Sequence, residues 1–121
     1  MDADLEHAAD PEDLSRLIVV RLNTGDVEGL VALYESDAVL ALPEDGVANG
    51  SEEIRGTFER LLEGRPVFEP GSHRPTLRAG KLALTSTRLP DGTVTVEVAR
   101  QQDDGTWLWV IDQPAFIPPN T

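Results

Sequence analysis

The sequence predicts an α+β domain in which three N-terminal helices pack on one face of a curved antiparallel or mixed sheet. Two observations carry that expectation. Up to Gly64 the apolar residues recur mainly at helical spacing, broken by two short strand signals, and from Arg65 onward they alternate with polar ones at the period of a strand. Turn signals then divide the second half into four strand candidates, the pattern of a meander packed under helices.

Asp10 before Pro11, with Glu12 and Asp13 following, is helix-start chemistry, because acids in a first turn meet the exposed amide end of the helix. Leu14, Leu17, Ile18, Arg21 and Leu22 form a mostly apolar stripe, and Gly25 supplies a left-handed stop. A second short helix is expected from Val27 to Tyr34. "DAVLALP" at 37–43 reads as a short strand ended by Pro43, and "EDGVANG" as a turn, a brief strand near Val47 and another turn. Ser51 is the expected N-cap of a third helix running to about Glu63, with Ile54, Phe58, Leu61 and Leu62 on its apolar face. The strand candidates are "RPTLRAG", "KLALTSTRLP", "TVTVEVARQQ" and "TWLWVIDQ", and "LPDGTV" is the clearest hairpin signal among them.

With 121 residues the chain suits one domain, expected over residues 11–117, between a disordered acidic tail at 1–10 and a C-terminal tail at 118–121. Residues 1–13 hold six acids and no Lys or Arg. The net charge of −12 argues against nucleic acid and anionic membrane as partners, since both require a basic face. No apolar run approaches the ~20 residues of a membrane span. The acidic N-terminus is unlike a signal peptide, and a cytoplasmic location is expected. The absence of cysteine excludes disulfides and thiolate chemistry. A single histidine in the folded region, His73, with scattered acids gives no metal-ligand spacing, and no phosphate or dinucleotide fingerprint occurs, so neither metal nor cofactor is expected.

Three stretches carry a resemblance: "LNTGDVEGLVALYESDAVLALP", "NGSEEIRGTFERLL" and "DGTWLWVIDQ". Together they resemble the nuclear transport factor 2-like superfamily, and the last resembles its small SnoaL-like and DUF4440-type members. That likeness implies a cone-shaped α+β fold with a pocket under the helices and a sheet face that often forms a dimer. Steroid isomerases of this superfamily place their base where this chain has Leu42 and their oxyanion tyrosine where it has Ile18, so neither function carries over. Their second oxyanion donor falls near Glu97 or Val98. SnoaL-type cyclases place a catalytic acid on the last strand at the position of Asp112, and a histidine near Val98. Superfamily epoxide hydrolases use an Asp-Arg-Asp set, in which Asp112 and Arg100 could be two members.

Asp112 is therefore the candidate catalytic residue, in a cup formed by Ile18, Leu42, Phe58, Val98 and Val110 with Tyr34, His73 and Arg100 as polar contacts. Strict alternation places Asp112 on one face with Leu108 and Val110, and Trp107, Trp109 and Ile111 on the other. The tryptophans would then lie outside, and a homodimer through that sheet face is expected to cover them. Two functional readings stand. One is a protein that binds a small hydrophobic ligand and acts by proton transfer on a carbonyl-bearing metabolite. The other is a non-catalytic ligand cup or dimerisation module.

Overall fold

In the computed structural model, residues 5–117 are described, and residues 1–4 and 118–121 of the expected tails lie outside them. Three helices precede most of the sheet: α1 (Pro11–Thr24), α2 (Val27–Val31) and α3 (Gly50–Leu62). The strands are β1 (Tyr34–Ala41), β2 (Val47–Asn49), β3 (Ser72–His73), β4 (Leu77–Ala79), β5 (Leu82–Arg88), β6 (Val94–Gln101) and β7 (Trp107–Ile117). They form one sheet in the order β2-β1-β7-β6-β5-β3, with β4 also paired to β5. Among the described residues only the β1–β7 pairing is parallel, so the sheet is mixed.

Helix α1 starts as expected: the Asp13 carboxylate accepts from the Ala9 and Asp10 amides, 3.1 Å each. Gly25, at φ 71°, turns the chain after the last turn and donates to Leu22 O. Asp26 then caps α2 by accepting from Gly29 N at 2.9 Å. Leu14, Leu17, Leu30, Ile54 and Phe58 bring the helices onto the sheet around Leu33, Tyr34, Ala38 and Leu40. Burial of apolar surface between these layers is the main term holding them together.

Four local expectations change. Helix α2 ends at Val31, and Tyr34 opens β1 instead, because its backbone aligns with Trp109 of β7. Helix α3 begins at Gly50 behind Asn49, one residue before the expected cap, and the Asn49 amide donates to Glu53 Oε1 at 2.7 Å. The stretch around His73, which precedes the first of the four expected strands and reads as a loop or strand entrance, pairs with β5 as a two-residue strand. Residues 5–10, expected within a disordered tail, lie against the domain. Trp107 N donates to Ala8 O at 2.9 Å, Arg16 pairs with Glu6, and the buried Arg21 reaches Glu6 O.

The largest correction concerns the last strand. Ala99 pairs with Trp109 and Val98 with Ile111, so one step along β6 matches two along β7. Val110 is the extra residue of a β-bulge, and it reverses the inside–outside phase. Trp107 and Trp109 are each only 2% exposed and belong to the core, while Ile111 is 50% exposed. Beyond the bulge Asp112 joins the tryptophans' face, at 4% exposure. The tryptophans therefore do not form the uncovered outer surface that alternation implied.

Candidate functional site

The inward face of β5, β6 and β7 is unusually polar. Thr85, Thr87, Thr95, Glu97 and Asp112 are all buried there, while Leu84, Val98 and Ile111 align in one row on the opposite face. Buried polar groups on a sheet cost free energy unless they are hydrogen-bonded or serve a ligand. Of these, Thr87, Thr95, Glu97 and Asp112 sit on the floor of a cavity of about 400 Å³, within the size range of small-molecule sites. Helix α1 forms its roof with Ile18, Val19 and Val20, and Pro70, Gly71, His73 and Leu89 form its rim. Gly71 permits the rim to close, because a Cβ there would stand 2.5 Å from the Arg88 carbonyl oxygen.

Asp112 and Glu97 are cross-strand partners in this cavity. The Tyr34 hydroxyl donates to Asp112 Oδ2 at 2.5 Å, and the Thr85 hydroxyl donates to Glu97 Oε1 at 2.6 Å. Burial pushes the Asp112 carboxyl up to about 7; the charge of Glu97 adds to the shift, and the Tyr34 hydrogen bond opposes it. Burial also raises Glu97, against the threonine hydroxyls that favour its ionised form. Tyr34 is held well above its ordinary range, first by burial and then by the neighbouring carboxylate, so it stays a neutral donor. Two carboxyls so placed do not both ionise readily, and near neutrality the pair retains a proton. An acid that is part protonated at neutral pH can both give and take a proton.

The expected site residues divide. Asp112, Ile18 and His73 line the cavity, and Tyr34 enters through its bond to Asp112. Phe58 stands behind Tyr34, with ring centroids 6.1 Å apart. Leu42 packs half-buried against the core and is not part of the cavity wall. Val98 faces the other side of the sheet, Val110 is taken up by the bulge, and Arg100 is bound to Glu35 at 2.9 Å rather than to Asp112. Glu97, which the valine stripe concealed, takes the inward position that Val98 was assigned. The signal was present in "TVTVEVA", where alternation around the valines necessarily points Thr95 and Glu97 the other way. Among the described residues no group of three or more potential metal ligands occurs.

No family model matches the chain, and neither does any curated protein. Solved structures do. A ketosteroid isomerase-like protein from Erwinia carotovora atroseptica is similar at 17% identity and a TM-score of 0.70, over 88% of this chain and 94% of that one. A SnoaL-like protein of unknown function from Burkholderia thailandensis matches at 17% identity and 0.62, over the same shares. A putative calcium/calmodulin-dependent protein kinase type II association domain from Thiobacillus denitrificans matches at 13% and 0.74, over 90% and 98%. At such identities these likenesses bear on the fold alone.

Proposed function

On the cone-shaped nuclear transport factor 2-like fold that this chain adopts, we propose a small-molecule-binding protein that moves a proton on its ligand. The ligand class is hydrophobic and carbonyl-bearing. One observation carries the reading: Asp112 lies buried on a cavity wall with its carboxyl pushed up to about 7. The Asp112 carboxylate that forms as pH rises through about 7 takes a carbon-bound proton beside the carbonyl. The C–H electron pair moves into the carbonyl to give an enolate, and return of the proton to another carbon completes an isomerisation. Leu42 supplies no base from the first strand, so Asp112 serves from the last.

Deuterium exchange into tetralone, an apolar enolisable ketone, tests this. Exchange above the buffer rate should rise through pH ~7 and fall at least a hundredfold in Asp112→Asn, in line with the usual worth of a positioned base. Equal exchange by the two proteins would remove the catalytic assignment.

A non-catalytic scaffold is the second reading, and the outer face of the sheet favours it. Leu84, Val98 and Ile111 form an apolar row there, with Ile111 half exposed. An aliphatic outer face over a polar inner one inverts the usual arrangement and fits a homodimer through the sheets. Sedimentation should show a dimer at micromolar concentration and a monomer for Ile111→Glu. A wild-type monomer would remove this interface.

A further inference from the structure

The ionisable side chains of the cavity wall are sorted by depth. Glu97 and Asp112 lie buried on the floor, whereas Arg16 and His73 are exposed at the mouth. Neither acid has a cationic partner among the described residues. A negatively charged group of a ligand is therefore repelled from the floor and belongs at the mouth. In a chain of net charge −12, a mouth built from an arginine and a histidine is a local exception that attracts such a group.

The fold places these two residues along one stretch of α1. Ser15, Ile18 and Val19 recur at helical spacing on its cavity side, and Arg16 and Val20, one turn apart, form the exposed edge beside them. The segment carrying His73 runs antiparallel along the helix. At one end the Asn23 side-chain amide donates to Phe68 O at 2.9 Å, and Phe68 N donates back to Asn23 Oδ1 at 2.8 Å. At the other, Thr76 stands by Glu12, whose carboxyl its hydroxyl holds below the ordinary range. Arg16 lies between those anchors on the helix, and His73 lies between them on the segment.

Arg16 already holds a carboxylate. Both of its terminal nitrogens donate to Glu6, Nη1 to Oε1 at 3.4 Å and Nη2 to Oε2, and Asp13 Oδ1 is 3.6 Å away. The Arg16 and Glu6 side chains are 49% and 54% exposed, and an ion pair so open to water and salt is weakly held. Glu6 thus shows which group fits this fork, and a ligand carboxylate can take its place with the same two oxygens. A phosphate dianion would bring a second charge that one arginine does not balance. The His73 ring offers a further N–H to a ligand oxygen in either protonation state.

Resting on the binding reading above, we infer that the ligand is an amphipathic carboxylic acid whose carboxylate displaces Glu6 from Arg16 at the mouth while its uncharged, apolar body reaches the floor. The substrate class is then a hydrophobic keto acid, with its carbonyl at Asp112. Arg16 is a specificity-determining residue, and Glu6 is its competitor within the chain.

Calorimetric titration at pH 7 with octanoate, octanol and octylammonium, which share one tail and differ in the head group, tests this. Octanoate should bind at least fivefold more tightly than either of the others. Arg16→Gln should bring octanoate within twofold of octanol. Glu6→Gln, which frees the arginine, should tighten octanoate at least twofold and leave octanol where it was. If Arg16→Gln fails to fold, Glu6→Gln alone carries the test. Equal affinity for octanoate and octanol, a preference that survives Arg16→Gln, or no gain in Glu6→Gln would overturn the inference and leave the binding reading standing. Failure of every probe, octanol included, would overturn both. Tetralone has no carboxylate, so its exchange reports on Asp112 separately.

Discussion

Asp112→Asn should make the protein more stable than wild type at pH 8 and leave it close to wild type at pH 4. The Asp112 carboxyl is pushed up to about 7 in the fold from an ordinary 3.8. The native state therefore holds this proton more tightly than the unfolded chain does. Stability from that preference is fully present below the ordinary value and is lost as pH rises toward 7, after which the loss is constant. A shift of that size corresponds to about 4 kcal/mol as an upper figure, since each unit is worth ~1.4 kcal/mol. Asparagine cannot ionise, yet its side-chain oxygen can still accept from the Tyr34 hydroxyl, which bonds Asp112 at 2.5 Å. Urea unfolding of both proteins across pH 4–8 isolates the effect of Asp112 and its coupling to Glu97, because titrating groups not coupled to Asp112 cancel in the difference. A penalty for Asp112→Asn that is the same at both ends of the range would mean that Asp112 ionises freely. The gain expected in the variant also explains why an acid here points to use: the fold is less stable for keeping it.

Trp107→Ala should cost about 3–5 kcal/mol, the usual range for deleting a buried tryptophan. The ring is 2% exposed, its backbone amide is bonded to Ala8 O, and the Arg78 guanidinium lies 5.0 Å above the ring centroid. For a domain whose whole stability is on the order of 5–15 kcal/mol, that is a large fraction. A tryptophan on an outer face would cost ~0.5 kcal/mol or less in the monomer. The same denaturation experiment therefore decides between the two placements of this strand.

That second contrast shows how far the sequence alone reaches. The helical half was legible because its signals are local: Pro11 at a first turn, Gly25 after a last one, and an apolar stripe between them. The hairpin at Pro90–Gly92 was legible for the same reason. The bulge at Val110 was not, since an unbroken apolar run gives no mark where one residue slips against β6, and that slip moves Asp112 from one face to the other. Tyr34 was assigned to a helix because its spacing suits one, and tertiary pairing with Trp109, 75 positions later, overrides that preference. The acidic N-terminal residues read as a solvated tail because their partners, Arg16 and Arg21, lie on α1. Asp112 was found from its position on the last strand. Glu97 was named only beside Val98 as the place of a second oxyanion donor, and Val98 was put in the cup because the valines suggested that the core lay on their side of β6.

The account rests on a buried Asp112 that titrates near neutrality. Carbon-13 NMR of the side-chain carboxyls, with Asp112→Asn identifying the resonance, measures this directly. The expected result is a midpoint close to pH 7 that moves further up in Tyr34→Phe, because the phenol's hydrogen bond favours the ionised form. A midpoint near 4, unmoved by Tyr34→Phe, would place Asp112 in solvent and contradict the cavity acid on which the proposed function depends.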